Sequence, residues 1–118
     1  MEDFAKKIIV AQLGKNPKMV KCCICGEKIP ALYSHNPYPI REKSNFGENE
    51  NRCCSECNAD MVVASRFPLH NMNVFEQHNY IMQLRKMDHT ELREHFKGCR
   101  SFRTPGFVTN EELRQLCG

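Results

Sequence analysis

The sequence predicts a small α+β protein, in which a cysteine-rich segment of turns and short strands lies between two helical ends. Six of the eight cysteines fall into two clusters near the middle of the 118-residue chain. Three prolines, Pro30, Pro37 and Pro39, break any long helix in the region 18–52. Helical patterns occur on both sides of this region. The two kinds of pattern together predict the mixed fold class.

The N-terminal end predicts one amphipathic helix at residues 2–13. Its apolar side chains recur at helical spacing, and a glycine and a proline follow as stop signals. The side chains that define this apolar face are Phe4, Ile8, Ile9 and Leu13.

The last third of the chain predicts three short helices. Each begins with a capping box, in which a short polar residue stands three positions before a glutamate and apolar residues follow. The three pairs are Asn73 with Glu76, Asp88 with Glu91, and Thr109 with Glu112. The run at 59–67 suits a further short helix, although its two adjacent valines would also suit a strand.

Two Cys-x-x-Cys pairs are the most specific chemical signal in the sequence. Cys22 and Cys25 are followed by a glycine, and Cys54 and Cys57 are followed by an asparagine. Two intervening residues let both sulfur atoms of a pair reach one ion, and glycine tolerates the positive φ of the tight turn. Because four thiolates complete a tetrahedral shell, we predict one structural zinc ion bound by these four cysteines.

The neighbouring cysteines leave alternatives open. Cys23 and Cys53 each adjoin one of the pairs, so either could replace its neighbour as a ligand. The two-residue spacing favours the set above and makes these two cysteines buried or supporting thiols. His95 and Cys99 stand four residues apart on a predicted helix, and a second metal site there would need Cys117 or His78. A core cysteine and a surface histidine are the expected alternative to that site.

The order of elements around the cysteines predicts a treble clef or zinc ribbon. Twenty-eight residues separate the two pairs, which leaves room for a knuckle, a β-hairpin or loop, and then a helix. The predicted organisation has three segments. Residues 1–17 form an N-terminal helix, 18–67 form the zinc-binding module, and 68–118 form a helical region packed on that module.

The charge distribution and the hydropathy of the sequence limit the classes of function that we expect for this protein. The net charge is +3, with basic flanks at 1–30 and 85–103 around a mildly acidic middle. A basic face could bind a nucleic-acid backbone, although such mixed charges are also typical of a solvated helix. The candidate nucleic-acid contacts are Lys18, Lys21, Lys28, Arg85, Lys86, Arg93 and Lys97.

No apolar run approaches the roughly 20 residues of a membrane span, and no signal peptide is evident, so we expect a cytoplasmic protein with reduced cysteines.

The segment between the pairs resembles that of HNH-type nucleases. His35, a nearby proline, Asn49 or Asn51, and then Cys54-x-x-Cys57-Asn follow the order of that family's zinc-bound module. The resemblance implies that His35 activates a water molecule and that Asn49 holds the loop. The family's metal-binding aspartate is replaced by Ser34, so oxygen ligands for a catalytic ion are few.

The cysteine motifs also resemble those of small zinc proteins encoded by bacteriophages and mobile elements. This resemblance implies a cytoplasmic module in a bacterial host cell and no particular reaction. We therefore expect a non-catalytic zinc module that binds a macromolecule, either a host protein or nucleic acid. The alternative is a divergent metal-dependent endonuclease that uses His35.

Overall fold

The computed structural model describes residues 3–15, 17–42 and 51–117, with side chains described from 7 to 116 within those ranges. The first part of the chain contains one helix and one hairpin. Helix α1 spans Asp3–Leu13, strand β1 spans Met19–Lys21 and strand β2 spans Lys28–Pro30, followed by a 3₁₀ turn at Ala31–Tyr33. The predicted N-terminal helix is thus confirmed.

The second part is helical. A continuous helical run begins with α2 at Ser55–Cys57, passes through a π-helical turn at Asn58–Val62 and ends with α3 at Val63–Arg66. A 3₁₀ turn at Pro68–Asn71 follows. The remaining helices are α4 at Val74–Arg85, α5 at His89–His95 and α6 at Asn110–Cys117.

The two strands form an antiparallel hairpin around the first cysteine pair. Val20 lies opposite Ile29 and faces the core, while Lys21 lies opposite Lys28 on the outer face. Side chains alternate between the two faces of a strand, so one residue of register decides which of them is buried. The hairpin and the helices together confirm the predicted α+β class.

The capping patterns determine where the C-terminal helices begin. The side chains of Asn73 and Asp88 each accept a hydrogen bond of 2.9 Å from the backbone N–H of the glutamate three residues on. The Thr109 hydroxyl accepts the corresponding bond from Glu112 at 3.2 Å. All three predicted helix starts are confirmed.

Two hydrophobic cores hold these elements together. The larger one, here called the metal-side core, contains the cysteine pairs and the apolar face of the helices that follow. Its buried residues are Cys22, Ile24, Ile29, Ile40, Cys53, Cys54, Cys57, Met61, Val62, Leu84, Leu92 and Phe96. The smaller one, the terminal-helix core, joins α1 to α6 through buried Ile9, Leu13 and Leu113.

In the part of the chain that the structure describes, no helix is both long and apolar enough to cross a membrane.

Candidate metal centre

Backbone pairing brings the two cysteine pairs together. Cys22 forms a parallel bridge with Arg52, and the N–H of Cys23 donates to the Arg52 carbonyl at 2.8 Å. On the other side, the N–H of His35 donates to the Cys53 carbonyl at 2.8 Å, and the reciprocal bond is 2.9 Å. The short segment 52–53 is therefore held between the knuckle and the loop at 35, which places the second pair against the first.

The four predicted ligands converge on one point. The sulfur atoms of Cys22, Cys25, Cys54 and Cys57 all lie within 4.8 Å of one another. The Sγ atoms of Cys25 and Cys54 are 3.7 Å apart. Four sulfurs around a tetrahedral ion at the zinc–sulfur distance of about 2.3 Å would be about 3.8 Å apart. The cluster therefore has the donor set and dimensions for one metal ion.

Each pair uses the same local geometry to hold its first sulfur. The Sγ atom of Cys22 accepts hydrogen bonds from the backbone N–H groups of Ile24 and Cys25, both at 3.4 Å. The Sγ atom of Cys54 accepts from the N–H of Cys57 at 3.3 Å, and Cys54 is the N-cap of α2. Backbone donors and a helix N-terminus both stabilise thiolate charge. The second pair was expected to lie just before a helix, and instead the helix begins within the pair, so that Cys57 belongs to its first turn.

The close packing of the sulfurs shifts their pKa values in opposite directions. Hydrogen bonds from the neighbouring thiols, that of Cys25 first, lower the pKa of Cys22. The hydrogen bond with Cys22 raises the pKa of Cys54, but the hydrogen bonds with Cys25 and Cys57 outweigh this effect. The pKa of Cys54 is therefore lowered to about 7. The pKa values of Cys25 and Cys57 are raised, chiefly by their hydrogen bonds to Cys22. A bound cation stabilises the thiolate form of all four cysteines, so metal binding releases their protons to the solvent.

The adjacent cysteines lie outside this cluster. Cys53 is fully buried in the metal-side core, and burial raises the pKa of its thiol. Cys23 is partly buried, and burial raises its pKa to about 11. Neither sulfur belongs to the group of four that converge on one point, so both positions suit packing. Among the described residues, no other group of three or more His, Cys, Asp or Glu side chains is placed to share an ion.

The N-terminal turn of α6 lies against the metal centre. The backbone N–H of Asn110 donates to Glu56 Oε2 at 2.7 Å, and Glu56 stands between the two cysteines of the second pair. Asn110 is buried, and its side chain donates a hydrogen bond that contributes to lowering the Cys54 pKa. One turn later, Arg114 forms an ion pair with Glu27 beside the first pair. Helix α6 thus contacts both halves of the site.

The sequence does not predict these contacts of α6. The capping box at Thr109 predicts where α6 begins, but nothing local indicates which element the helix faces. The one available signal is an acidic residue in or next to each cysteine motif. Glu56 lies between Cys54 and Cys57, Glu27 lies two residues after Cys25, and each provides an acceptor close to the ligands.

His35 lies in a basic environment next to the metal centre. Its Nε2 is 3.0 Å from the Ser55 hydroxyl, which itself donates to the Tyr33 carbonyl at 3.1 Å. Burial, followed by the charges of Arg52 and Arg66, lowers the pKa of His35. The imidazole is therefore neutral at pH 7. Asn49, the second residue that the nuclease resemblance implies, lies outside the described residues.

Ser34 has a structural role at the position where the HNH pattern has an acidic residue. Its hydroxyl donates to the Ala31 carbonyl at 2.6 Å and accepts from Arg52 Nε at 2.9 Å. Arg52 also donates to the Ser34 carbonyl at 2.9 Å. These bonds hold the loop that carries His35.

The seven candidate nucleic-acid contacts fall on three different elements. Lys18, Lys21 and Lys28 belong to the hairpin region and are exposed. Arg85 and Lys86 lie at the end of α4, where Arg85 is 3.5 Å from the Glu42 carboxylate. Arg93 and Lys97 are exposed on or just after α5, and Lys97 pairs with Glu94 at 4.0 Å.

Comparisons with protein-family models, with curated proteins and with solved structures give no match to this chain. The four cysteine sulfur atoms are placed to hold one metal ion between the two cysteine pairs.

Proposed function

We propose that this protein is a zinc-binding module of the treble-clef type, in which the ion has a structural role. The observation that carries the proposal is the convergence of four cysteine sulfurs, with 3.7 Å between Cys25 and Cys54 across the two pairs. An all-sulfur shell with four protein ligands leaves no open position for a substrate or water, which is the pattern of structural zinc sites. A knuckle inside a β-hairpin, followed by a helix that carries the second pair, supports the treble-clef interpretation.

The module acts by binding a macromolecule, a host protein or a nucleic acid. Val74 and Phe75, at the start of α4, are 77% and 81% exposed. Large apolar side chains with this exposure are typical of interaction surfaces. On the hairpin, Lys21 and Lys28 lie directly opposite each other on the outer face. Like charges in such a pair are unfavourable unless an anionic group neutralises them. A phage or mobile-element protein that occupies the surface of a host complex would use features of this kind.

The metal assignment is tested by measuring the zinc content of the purified protein. We expect one zinc ion per chain, lost on treatment with a chelator together with the folded structure, because metal-binding free energy is folding free energy in such modules. Retention of the full circular dichroism spectrum after complete metal removal would contradict a structural role.

The same sample tests the alternative of a metal-dependent endonuclease that uses His35. The neutral imidazole beside Ser55 is the observation that favours this alternative, since a general base must be unprotonated. Plasmid DNA is incubated with the zinc-loaded protein and Mg²⁺ or Mn²⁺. A structural module gives no cleavage. Cleavage that disappears in His35→Ala, with zinc content unchanged, would replace the binding function with the nuclease.

A further inference from the structure

Two phenylalanine rings form a pair at the surface, where the loop between α5 and α6 meets the end of α3. The ring centroids of Phe67 and Phe102 are 5.4 Å apart, and the ring planes are tilted by 32°. Phe67 is 56% exposed, although phenylalanine is a residue that folded proteins usually bury. One aromatic ring is therefore supported by a second ring and remains accessible to a ligand.

The loop between α5 and α6 is held in place by the helical run that carries the second cysteine pair. The backbone N–H of Phe102 donates to the Ala59 carbonyl at 2.9 Å, and the Ser101 hydroxyl donates to Asp60 Oδ1 at 2.7 Å. Arg103 donates to both carboxylate oxygens of Asp60, at 3.0 and 2.7 Å. Because ordering a loop at the moment of binding costs entropy, a loop that is already fixed binds a ligand more tightly.

Positive charge without a carboxylate partner lies next to the two rings. The guanidinium carbon of Arg100 is 5.7 Å from the ring centroid of Phe102. Arg66 directly precedes Phe67, and its guanidinium group donates to two backbone carbonyls of the segment 36–38, both at 2.9 Å. In the part of the chain that the structure describes, no carboxylate forms an ion pair with either arginine. Carbonyl groups do not neutralise a charge, so both cations remain available to an anion.

The sequence of the loop agrees with this distribution of charge. Residues 95–110 contain three lysine or arginine residues and no aspartate or glutamate. Arginine and phenylalanine are interleaved in this segment as Arg100, Phe102, Arg103 and Phe107. Surfaces that bind single-stranded nucleic acids combine these two kinds of side chain, because bases stack on the aromatic rings and cations contact the phosphates.

We propose that Phe67 and Phe102, together with Arg66 and Arg100, form a stacking surface for a single-stranded nucleic acid. A base stacks on the exposed ring of Phe67, and the two arginines contact neighbouring phosphates. The faces of the bases are covered by their neighbours in a duplex, so this surface selects a single strand. The inference rests on the proposed function and specifies the partner as a nucleic acid that contacts the α5–α6 loop.

Binding is tested by fluorescence anisotropy on the zinc-loaded full-length chain. The probes are labelled oligothymidine and oligouridine strands and a labelled DNA duplex of the same length. We expect at least one of the single strands to bind about ten-fold more tightly than the duplex, and the two strands show whether DNA or RNA is preferred. Equal affinity for the duplex, or no binding of either single strand, would overturn the proposal.

A matched pair of substitutions locates the contact on the protein. Phe67→Ala should weaken binding of the single strand about ten-fold, because the base loses the ring on which it stacks. Leu32→Ala removes a side chain that is similarly exposed, at 63%, from the turn after β2. Because leucine has no aromatic ring, we expect this control to change the affinity less than about two-fold. Equal effects of the two substitutions would show non-specific apolar attraction and contradict the assignment.

Tryptophan substitutions test the stacking itself, and they do not require removal of the ring. The chain contains no tryptophan, so a single introduced tryptophan reports on its own surroundings. The emission of Phe67→Trp should be quenched when the single strand binds, because a base then stacks on the indole ring. The emission of Leu32→Trp should not change. A bound strand that leaves the emission of Phe67→Trp unchanged would refute the stacking surface.

The phosphate contact of Arg100 is tested by the salt dependence of binding. Removal of one phosphate contact by Arg100→Gln should reduce the slope of log affinity against log salt concentration by about 0.7. An unchanged slope would contradict the contact.

Zinc content is measured on every sample. One zinc ion per chain without binding of a single strand refutes the stacking surface alone. Absence of zinc refutes the proposed function itself.

Discussion

The metal-side core and the terminal-helix core stabilise the protein in different ways. Within the described part of the chain the first has twelve buried residues, and three of them, Cys22, Cys54 and Cys57, converge on one point with the partly buried Cys25. The second has three buried residues, Ile9, Leu13 and Leu113, supported by partly buried side chains such as Tyr33. Among residues 7–116, whose side chains the structure describes, these three buried side chains offer little apolar surface with which to order two helices.

We therefore expect the terminal-helix core to fold only when the metal-side core is folded. Helix α6 is attached to the metal region by the Asn110 N–H bond to Glu56 and by the ion pair of Arg114 with Glu27. Helix α1 is attached through α6 and through the bond of 2.7 Å from the Tyr33 hydroxyl to Gln12 Oε1. Loss of the metal should thus unfold α1 and α6 as well, whereas loss of the packing between α1 and α6 should leave the metal bound.

The largest expected effect is that of replacing a ligand. Cys22→Ser should abolish zinc binding and unfold the protein, because structural zinc sites contribute on the order of 10 kcal/mol of folding free energy. Cys23→Ser is the matched control, since Cys23 is the neighbouring thiol outside the cluster. Zinc analysis and thermal unfolding by circular dichroism compare the two. Equal loss of zinc in both variants would show that the ligand set is wrong.

The next largest effect is the loss of stability expected when one buried leucine of each core is replaced by alanine. Leu92→Ala should cost about 4 kcal/mol and Leu113→Ala about 2 kcal/mol, because a cavity costs more where the surroundings cannot close around it. Leu92 is fully buried in the metal-side core and Leu113 is 1% exposed in the other. Denaturant unfolding of the zinc-loaded variants gives both values. A larger loss of unfolding free energy in Leu113→Ala than in Leu92→Ala would contradict the proposed dependence of the terminal-helix core on the metal-side core.

Helix caps provide a smaller test of the same comparison. Asp88 caps α5, which contributes Leu92 to the metal-side core, and Thr109 caps α6. Replacement of either by alanine should cost about 1 kcal/mol of unfolding free energy. We expect only Asp88→Ala to lower zinc affinity detectably in a competition assay with a chelator. If Thr109→Ala lowers the affinity as much, α6 contributes to metal binding as strongly as the core does.

The smallest expected effect is that of the ion pair between the two regions. The side chains of Arg114 and Glu27 are 51% and 42% exposed, and exposed pairs contribute about 0.2–1 kcal/mol. A double-mutant cycle with Arg114→Gln and Glu27→Gln measures this coupling, which should decrease with added salt. A coupling energy above about 2 kcal/mol would mean that this contact is a principal attachment of α6.

Local patterns predicted those features whose causes are themselves local. The Cys-x-x-Cys spacing identified the converging sulfurs, and the polar residues at 73, 88 and 109 identified three helix starts. The run after Cys57 was ambiguous between helix and strand. It is helical because Cys54 caps a helix that continues without a break through Val62.

Features that depend on distant contacts were not predictable from the sequence. The packing of Leu13 against Leu113 joins residues near the two ends of the chain, and no periodicity in α1 or α6 specifies that partner. The position of Asn110 beside Cys54 likewise follows from how α6 docks. The π-helical turn at Asn58–Val62 has no sequence signal that we recognise.

The most direct test of the metal centre is X-ray absorption spectroscopy at the zinc edge of the purified, zinc-loaded protein. The convergence of Cys22, Cys25, Cys54 and Cys57 predicts a single shell of four sulfur atoms at about 2.3 Å. Cys23→Ser should give the same spectrum. A shell that contains nitrogen or oxygen ligands at about 2.0–2.1 Å would contradict the four-cysteine site and the structural role derived from it.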